Sequence, residues 1–209
     1  MNTDEKIVPE HTLLNLGCGN KKMIGFWNVD KEPKCKPDQV LDIEKTPWPY
    51  EDNFFDQIAA SNILEHVGQN PDVFTNIIKE MYRVSKKNAR WAIQIPHHRS
   101  DLFWDDYTHV RPLTHKTFMM FDQKVNYESI AKKLSDSTFG LYHNVDIEIL
   151  KVEHNIVDYW SNLKQDGMIG ERDFWIKMNI FNNTIESVNL AIMVHKPCRF
   201  DEWDKNFGQ

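Results

Sequence analysis

Cysteine is scarce. The 209 residues hold three, at positions 18, 35 and 198, and no two form a CxxC pair. An odd, dispersed set argues against a disulfide scaffold and against a thiolate zinc site. Reduced thiols fit a cytoplasmic chain. Long hydrophobic runs are missing too. No stretch approaches the ~20 apolar residues a bilayer span needs. The opening MNTDEKIVPEH lacks the apolar segment of a secretory leader. No membrane partner is expected, and the expected location is cytoplasmic. Basic charge is also short, with 25 Lys and Arg against 31 Asp and Glu and a net charge of −6. Lysines gather no further than KK pairs, which offers no stripe for phosphate neutralisation, so DNA is not an expected partner. Internal repeats and low-complexity tracts are absent as well.

What is present is an ordinary core-forming supply: 41% hydrophobic residues, with 12 Phe and 7 Trp. The length suits one domain spanning residues 1–209. Short apolar runs at 13–16, 26–29, 40–43, 55–60 and 90–95 read as strands, several closed by an acid or a turn residue. KEPKCKPD and TPWPYEDN are proline-punctuated loops. Asn70-Pro71 supplies a cap and a first-turn proline. Val73, Phe74, Ile77, Ile78, Met81 and Val84 then recur at helical spacing. SKKN reads as a polar turn before the fifth strand. This is the pattern of an open, mainly parallel sheet with a ligand crevice at the strand C-termini.

The later chain is less regular. Residues 114–121 read as a short helix capped by Thr114. Residues 126–134 read as another, with Ile130, Ala131 and Leu134 inward. In the stretch 145–157, Val145, Ile147 and Ile149 alternate with Asp146 and Glu148, as in a half-buried strand. Phe174, Trp175, Met178 and Phe181 fit one helix face, within an ambiguous stretch from 160 to 185. Residues 187–195 read as a last strand, and 199–209 as a frayed tail.

Two constellations carry chemistry. In LLNLGCGNKKMIGFWNVD, Gly17 and Gly19 follow a buried strand, and Asp30 ends the next strand eleven residues later. Glycines admit positive φ and close ligand approach, and an acid at that strand end can accept ribose hydroxyls. Asp42 ends the third strand at the same edge, with a loop cap as its plainer role. Ser61 and Asn62 end the fourth. Glu65 and His66 follow, a pair that more often makes a local polar contact than a catalytic unit. Only seven residues separate the glycine turn from Trp27, where a parallel crossover normally takes a dozen or more.

LNLGCG, NVD, LDIEKTPWPYEDNFFDQIAASNILEHV and MYRVSKKNARWAIQIP, in this order and spacing, resemble the class I S-adenosylmethionine-dependent methyltransferases. Within that family the chain looks like a small type with a shortened first crossover. The resemblance covers about residues 12–96, which would form the cofactor-binding core. It implies a Rossmann-like α/β sheet, mainly parallel with an antiparallel last strand at 187–196, and reduced helices after the first two strands. It implies that Asn15, Leu16, Gly17, Cys18 and Gly19 wrap the methionine part of S-adenosylmethionine. Asp30 would hold the ribose, Asp42 and Ile43 would flank the adenine, and Ser61 and Asn62 would line the methionine side with His66 nearby. Lys21 stands where the family usually has a glycine. One sheet face near the first strands should be thinly covered unless a chain end folds over it. Lys21 or Lys22 is available to face the cofactor carboxylate.

The second constellation is PHHRSDLFWDDYTHVRPLTHK, which opens where the fifth strand ends. Residues 97–186 would form the acceptor-side elaboration. Methyl transfer to a hydroxyl needs alignment and a base. His97, His98 or His109 suits the base, Asp105 or Asp106 suits its orienter, and Arg111 suits an anionic substrate. His97, His109 and Asp106 are the residues preferred as catalytic. An ordered lid of mutually bonded side chains is an equal reading of the run. The spacing matches no metal signature, so no metal ligands are assigned. No NPPY-like motif follows the fourth strand. The expected acceptor is an oxygen or nitrogen of a small molecule or glycan. A non-catalytic cofactor-binding partner subunit is the alternative, and an RNA or nucleoside acceptor ranks below both. The oligomeric state is not legible.

Overall fold

The computed structural model describes residues 6–200. Seven strands form one sheet: β1 (Leu13–Leu16), β2 (Trp27–Asp30), β3 (Gln39–Val40), β4 (Phe55–Ser61), β5 (Ser85–Pro96), β6 (Ile147–Ile156) and β7 (Ile185–Val194). Their order is β3-β2-β1-β4-β5-β7-β6. The pairs from β3 to β5 are parallel, and β7 runs antiparallel to both β5 and β6. The expected Rossmann-like sheet is therefore present. The chain order reverses at β1, between β2 and β4, which opens a crevice at the strand C-termini.

Helix α1 (Pro71–Val84) begins as expected: Asn70 accepts from the Asp72 N–H and Pro71 opens the first turn. Its Phe74, Ile77, Ile78, Met81 and Val84 share one buried cluster with Leu14, Leu16, Ile58 and Ile93 of the sheet. The SKKN turn is not a break. Residues 86–89 lie inside β5, where the ladder skips from Phe55–Ser85 to Gln57–Arg90, and Asn88 takes φ 62° to absorb the irregularity. The third strand is shorter than expected. It ends at Val40, so Asp42 and Ile43 belong to the following loop, whose Asp42 carboxylate accepts from the Glu44 N–H.

The absent early helices are replaced by two unlike devices. Successive strand residues face opposite sides. On the side of Leu14 and Leu16, the proline-rich loop folds inward and buries Trp48 and Tyr50. Arg83 and Glu80 of α1 pin it: Trp48 N–H donates to Glu80 Oε2 at 2.6 Å, and Arg83 donates to the carbonyls of Trp48 and Tyr50. The N-terminal stretch braces the same loop through Ile7 N–H to the Pro49 carbonyl. On the other side, Asn15 and Asn28 are register neighbours, each only 4% exposed. Asn15 Nδ2 donates to Asn28 Oδ1 at 2.9 Å. Asn28 also accepts from Met23 N–H and donates to the Met23 and Phe26 carbonyls and to Asp38. The short β1–β2 connection is thus held against the sheet by amides.

The remaining helices are α2 (Asp101–Trp104), α3 (His115–Met119), α4 (Gln123–Ala131), α5 (Phe139–His143), α6 (Asp158–Gln165) and α7 (Glu171–Ile180). Thr114 caps α3 as expected, with Thr117 completing a capping box. Helix α4 departs from its apolar reading: Ala131 and Leu134 are exposed, while Gln123, Asn126 and Ser129 are buried. These polar groups bond locally, Asn126 to the Met120 carbonyl and Gln123 to the Gly140 carbonyl. Asp146 also departs, at 0% exposure, because Arg199 folds back onto it. The frayed-tail reading therefore fails at Arg199, and residues 201–209 lie outside the described residues. Phe174 and Met178 of α7 are buried, whereas Trp175 and Phe181 of the proposed face are exposed.

Candidate active site

The glycine turn leaves β1 with Gly17 at φ 62° and Gly19 at φ 48°. The two glycines serve different needs. A Cβ on Gly17 would sit 2.4 Å from Ile63 Cγ1, while nothing lies within 4 Å of one on Gly19. Gly17 lets the segment after β4 close onto the turn, and Gly19 leaves open space above the crevice. Gly17→Ala is expected to cost about 2–3 kcal/mol in chemical denaturation, from left-handed strain plus overpacking, with Gly19→Ala costing less. An equal loss for both would remove the packing argument.

Asp30 ends β2 beneath this turn. Its Oδ2 accepts from the Gly19 N–H at 2.7 Å and its Oδ1 from the Glu32 N–H at 2.8 Å. An ionised carboxylate has about four acceptor sites. Two therefore stay available at the crevice for a diol. Cys18 is buried, and burial followed by the nearby Asp30 pushes its thiol up. Asn15 lends its backbone position while its side chain belongs to the amide network. Lys22 leans toward Asp38, 3.8 Å away, and Lys21 is exposed. Asp42 also sits 3.4 Å from Lys45, and Ile43 is buried. At the end of β4, Ser61 Oγ donates to Gln94 Oε1 at 2.6 Å, and Asn62 takes φ 51°.

Next along the chain, a single 3-10 turn, Leu64–His66, meets the loop before α3. Val110 N–H donates to the Glu65 carbonyl at 2.8 Å and draws the two segments together. The Thr108 hydroxyl stands 2.6 Å from Asp106 Oδ1 and 2.8 Å from His66 Nδ1. An ionised carboxylate only accepts, so the hydroxyl proton goes to Asp106 and His66 Nδ1 must donate. His109 Nδ1 lies 2.6 Å from the Phe103 carbonyl, so it donates as well. In its neutral form each ring is therefore the Nδ1–H tautomer, with its lone pair at Nε2. Asp106 orients His66 through Thr108, and the Phe103 carbonyl orients His109. Burial pushes His66 down, with His109 beside it adding to the effect.

Glu65 is the unexpected member. It is 1% exposed, and neither carboxylate oxygen has a hydrogen-bond partner among the described residues. Burial pushes its carboxyl up to about 7, against the smaller pulls of its own backbone N–H and of His109. An oxygen of Glu65 and a ring nitrogen from each of His66 and His109 lie within 4.8 Å of one another. The adjacent Glu65-His66 pair and the DxTH turn at 106–109 were visible in the chain, but nothing in it tied them together.

A cavity of about 430 Å³ opens past the end of β5. Its walls include His97, His98, Arg99, Lys116, His154 and Trp175. His97 is pushed down to about 4, chiefly by burial and then by His98, His154 and Arg99. Its Nδ1 accepts from the Arg99 N–H at 3.3 Å, so the neutral ring carries its proton at Nε2. His98 and His154 are also lowered by burial, and Arg99 and Lys116 stand in the same wall. His97 and the His66–His109 cluster thus belong to two separate groups of side chains, one after β5 and one after β4.

The strand order, the glycine turn over Asp30 and the open space at Gly19 fit an adenosyl cofactor and the fold of the class I S-adenosylmethionine-dependent methyltransferases. Residues 14–93 match the family model described as the methyltransferase domain. Among solved structures, a SAM-dependent methyltransferase from Archaeoglobus fulgidus is similar, with 15% identity, coverage of 87% of this chain and 85% of that one, and a TM-score of 0.55. The YcgJ protein from Bacillus subtilis is 16% identical over 92% of this chain and 94% of its own, with a TM-score of 0.51. At this identity both speak for the fold. No curated protein matches the chain. No helix among the described residues is long and apolar enough to cross a membrane.

Proposed function

We propose that the chain methylates an oxygen or nitrogen of a small anionic or glycan acceptor seated in the cavity beyond β5. The observation that carries this reading is the cavity itself: it begins at His97, where β5 delivers the chain to the crevice edge, and Arg99 and Lys116 stand in its wall. When bound, the cofactor supplies a methyl group on a sulfonium, which is already activated, so the protein's task is alignment. The backbone of residues 15–19 would cradle its methionine part and Asp30 its ribose. Asp42, Ile43, Ser61, Asn62 and His66 would line the rest. Residues 97–186 would form the acceptor side. His97 is a poor base at neutral pH, and its Nε2–H suits it to orient the acceptor. The Glu65–His66–His109 cluster, set by Asp106 and Thr108, would take the proton of an acceptor whose reacting atom reaches out of this cavity toward the end of β4.

The test is a labelled-methyl screen over hydroxylated acids, glycans and RNA. An acidic small molecule or glycan should be methylated, and Lys116→Ala should raise its KM roughly ten-fold with kcat little changed, the loss of one charged contact. Methylation of RNA alone, or tight cofactor binding without transfer to any class, would refute the acceptor reading. The latter outcome would favour the partner-subunit role.

A further inference from the structure

We infer that Glu65, His66 and His109 form a binding site for one divalent transition-metal ion of the zinc class. Three observations converge. The donor set is two imidazoles and one carboxylate, the set that holds zinc or iron(II) with positions left open. The donor atoms already lie within 4.8 Å of one another. Ligands about 2.0–2.2 Å from a tetrahedral ion stand roughly 3.4 Å apart, so the widest separation needs to contract by up to about 1.4 Å, which side-chain rotation supplies.

The second observation is the state of the donors. His66 and His109 each spend Nδ1–H on an outer acceptor, the Thr108 hydroxyl and the Phe103 carbonyl. That is how ligating histidines are usually fixed, with Nε2 left for the ion. Asp106 completes the outer shell by holding Thr108 through both its hydroxyl and its N–H. The third is Glu65. A carboxylate that is 1% exposed with both oxygens unpartnered is costly in a folded protein, and a cation among its neighbours removes the cost. No lysine or arginine forms an ion pair with it among the described residues. Arg111, next to the Val110 whose N–H bonds the Glu65 carbonyl, lies over the Phe74 ring instead.

The inference rests on the acceptor reading only for the ion's use, which would be to acidify an acceptor hydroxyl at an open position so that its proton leaves to solvent, the two Nε2 atoms then serving as ligands instead of as the base. The site itself is independent of it. The experiment is zinc titration by calorimetry on the full chain free of affinity histidines, with cobalt(II) absorption as the coordination probe. One ion per chain is expected, with visible cobalt bands of a low-coordinate site. Affinity should fall at least about 100-fold in His109→Ala and Glu65→Gln, and by about 10- to 100-fold in the outer-shell variant Thr108→Val. Glu65→Gln removes a buried charge, so its unaltered melting temperature without metal would show that the loss is not unfolding. Absent saturable binding, or equal affinity across the variants, overturns the site, even if His109→Ala abolishes methyl transfer. Saturable binding that leaves transfer unaffected upholds the site and removes only the use given to the ion.

Discussion

Asp146→Ala should destabilise the fold by about 3–5 kcal/mol in urea denaturation, the largest loss expected of any substitution considered for this chain. Asp146 is fully buried at the head of β6. Its Oδ2 accepts from the Arg199 backbone N–H at 2.7 Å and from Nε at 3.0 Å. Its Oδ1 accepts from Arg199 Nη2 at 2.8 Å and from the Gln123 N–H at 3.1 Å. Removing the carboxylate strands a mostly buried guanidinium and a helix-start N–H together. Asp122, 2.6 Å from Nη2, retains part of the pairing. The loss comes from leaving a partner alone, not from the pair's net worth, so Asp146→Leu with Arg199→Met should recover much of it. A single-variant loss below about 1 kcal/mol would mean that Arg199 leaves the site freely.

Asp30→Ala should lower cofactor affinity by about 100-fold, measured calorimetrically with S-adenosylhomocysteine. Two effects combine. The variant loses the charged acceptor facing the crevice, where each hydrogen bond to a charged group contributes about 1.5–3 kcal/mol and 1.4 kcal/mol is tenfold. It also releases the Gly19 N–H that holds the turn in its binding shape. Asp30→Asn keeps one oxygen for Gly19 and should fall between the wild type and Ala. Unchanged affinity in both would remove the ribose assignment. A matching drop in melting temperature would shift the explanation from contact to turn collapse.

The parts of the fold read correctly are those whose signals are local. Asn70-Pro71 and the 3.6-residue recurrence of Phe74, Ile77, Ile78 and Met81 need no partner to declare a helix. The glycine turn and Asp30 are separated by one short strand, and parallel pairing brings them together without further information. The misread parts depend on distant partners. Asp146 looks like a solvent-facing residue in an alternating strand until Arg199, 53 residues later, supplies its counter-charge. Helix α4 looks apolar-faced until the 120 and 140 carbonyls give its amides somewhere to go. Val40 ends β3 early because the edge has only β2 to pair with. The same limit explains Glu65: beside His66 it reads as a local polar contact, and the return of residues 106–110 makes it part of an interior cluster.

The amide seal at Asn15 and Asn28 has a consequence for exchange with solvent. An α-helix in its place would share the sheet's apolar core, and its opening would require most of the global unfolding free energy. Residues 20–25 are exposed, Ile24 fully so, and their hold on the sheet is a few hydrogen bonds to two side chains. Their backbone amides therefore belong to the lowest-energy opening unit of the sheet's first half, able to lift while β1 and β2 stay paired. Because that unit begins immediately after Gly19, cofactor contacts to the turn are thermodynamically linked to its closure. Ligand binding should deepen protection there more than anywhere in α1.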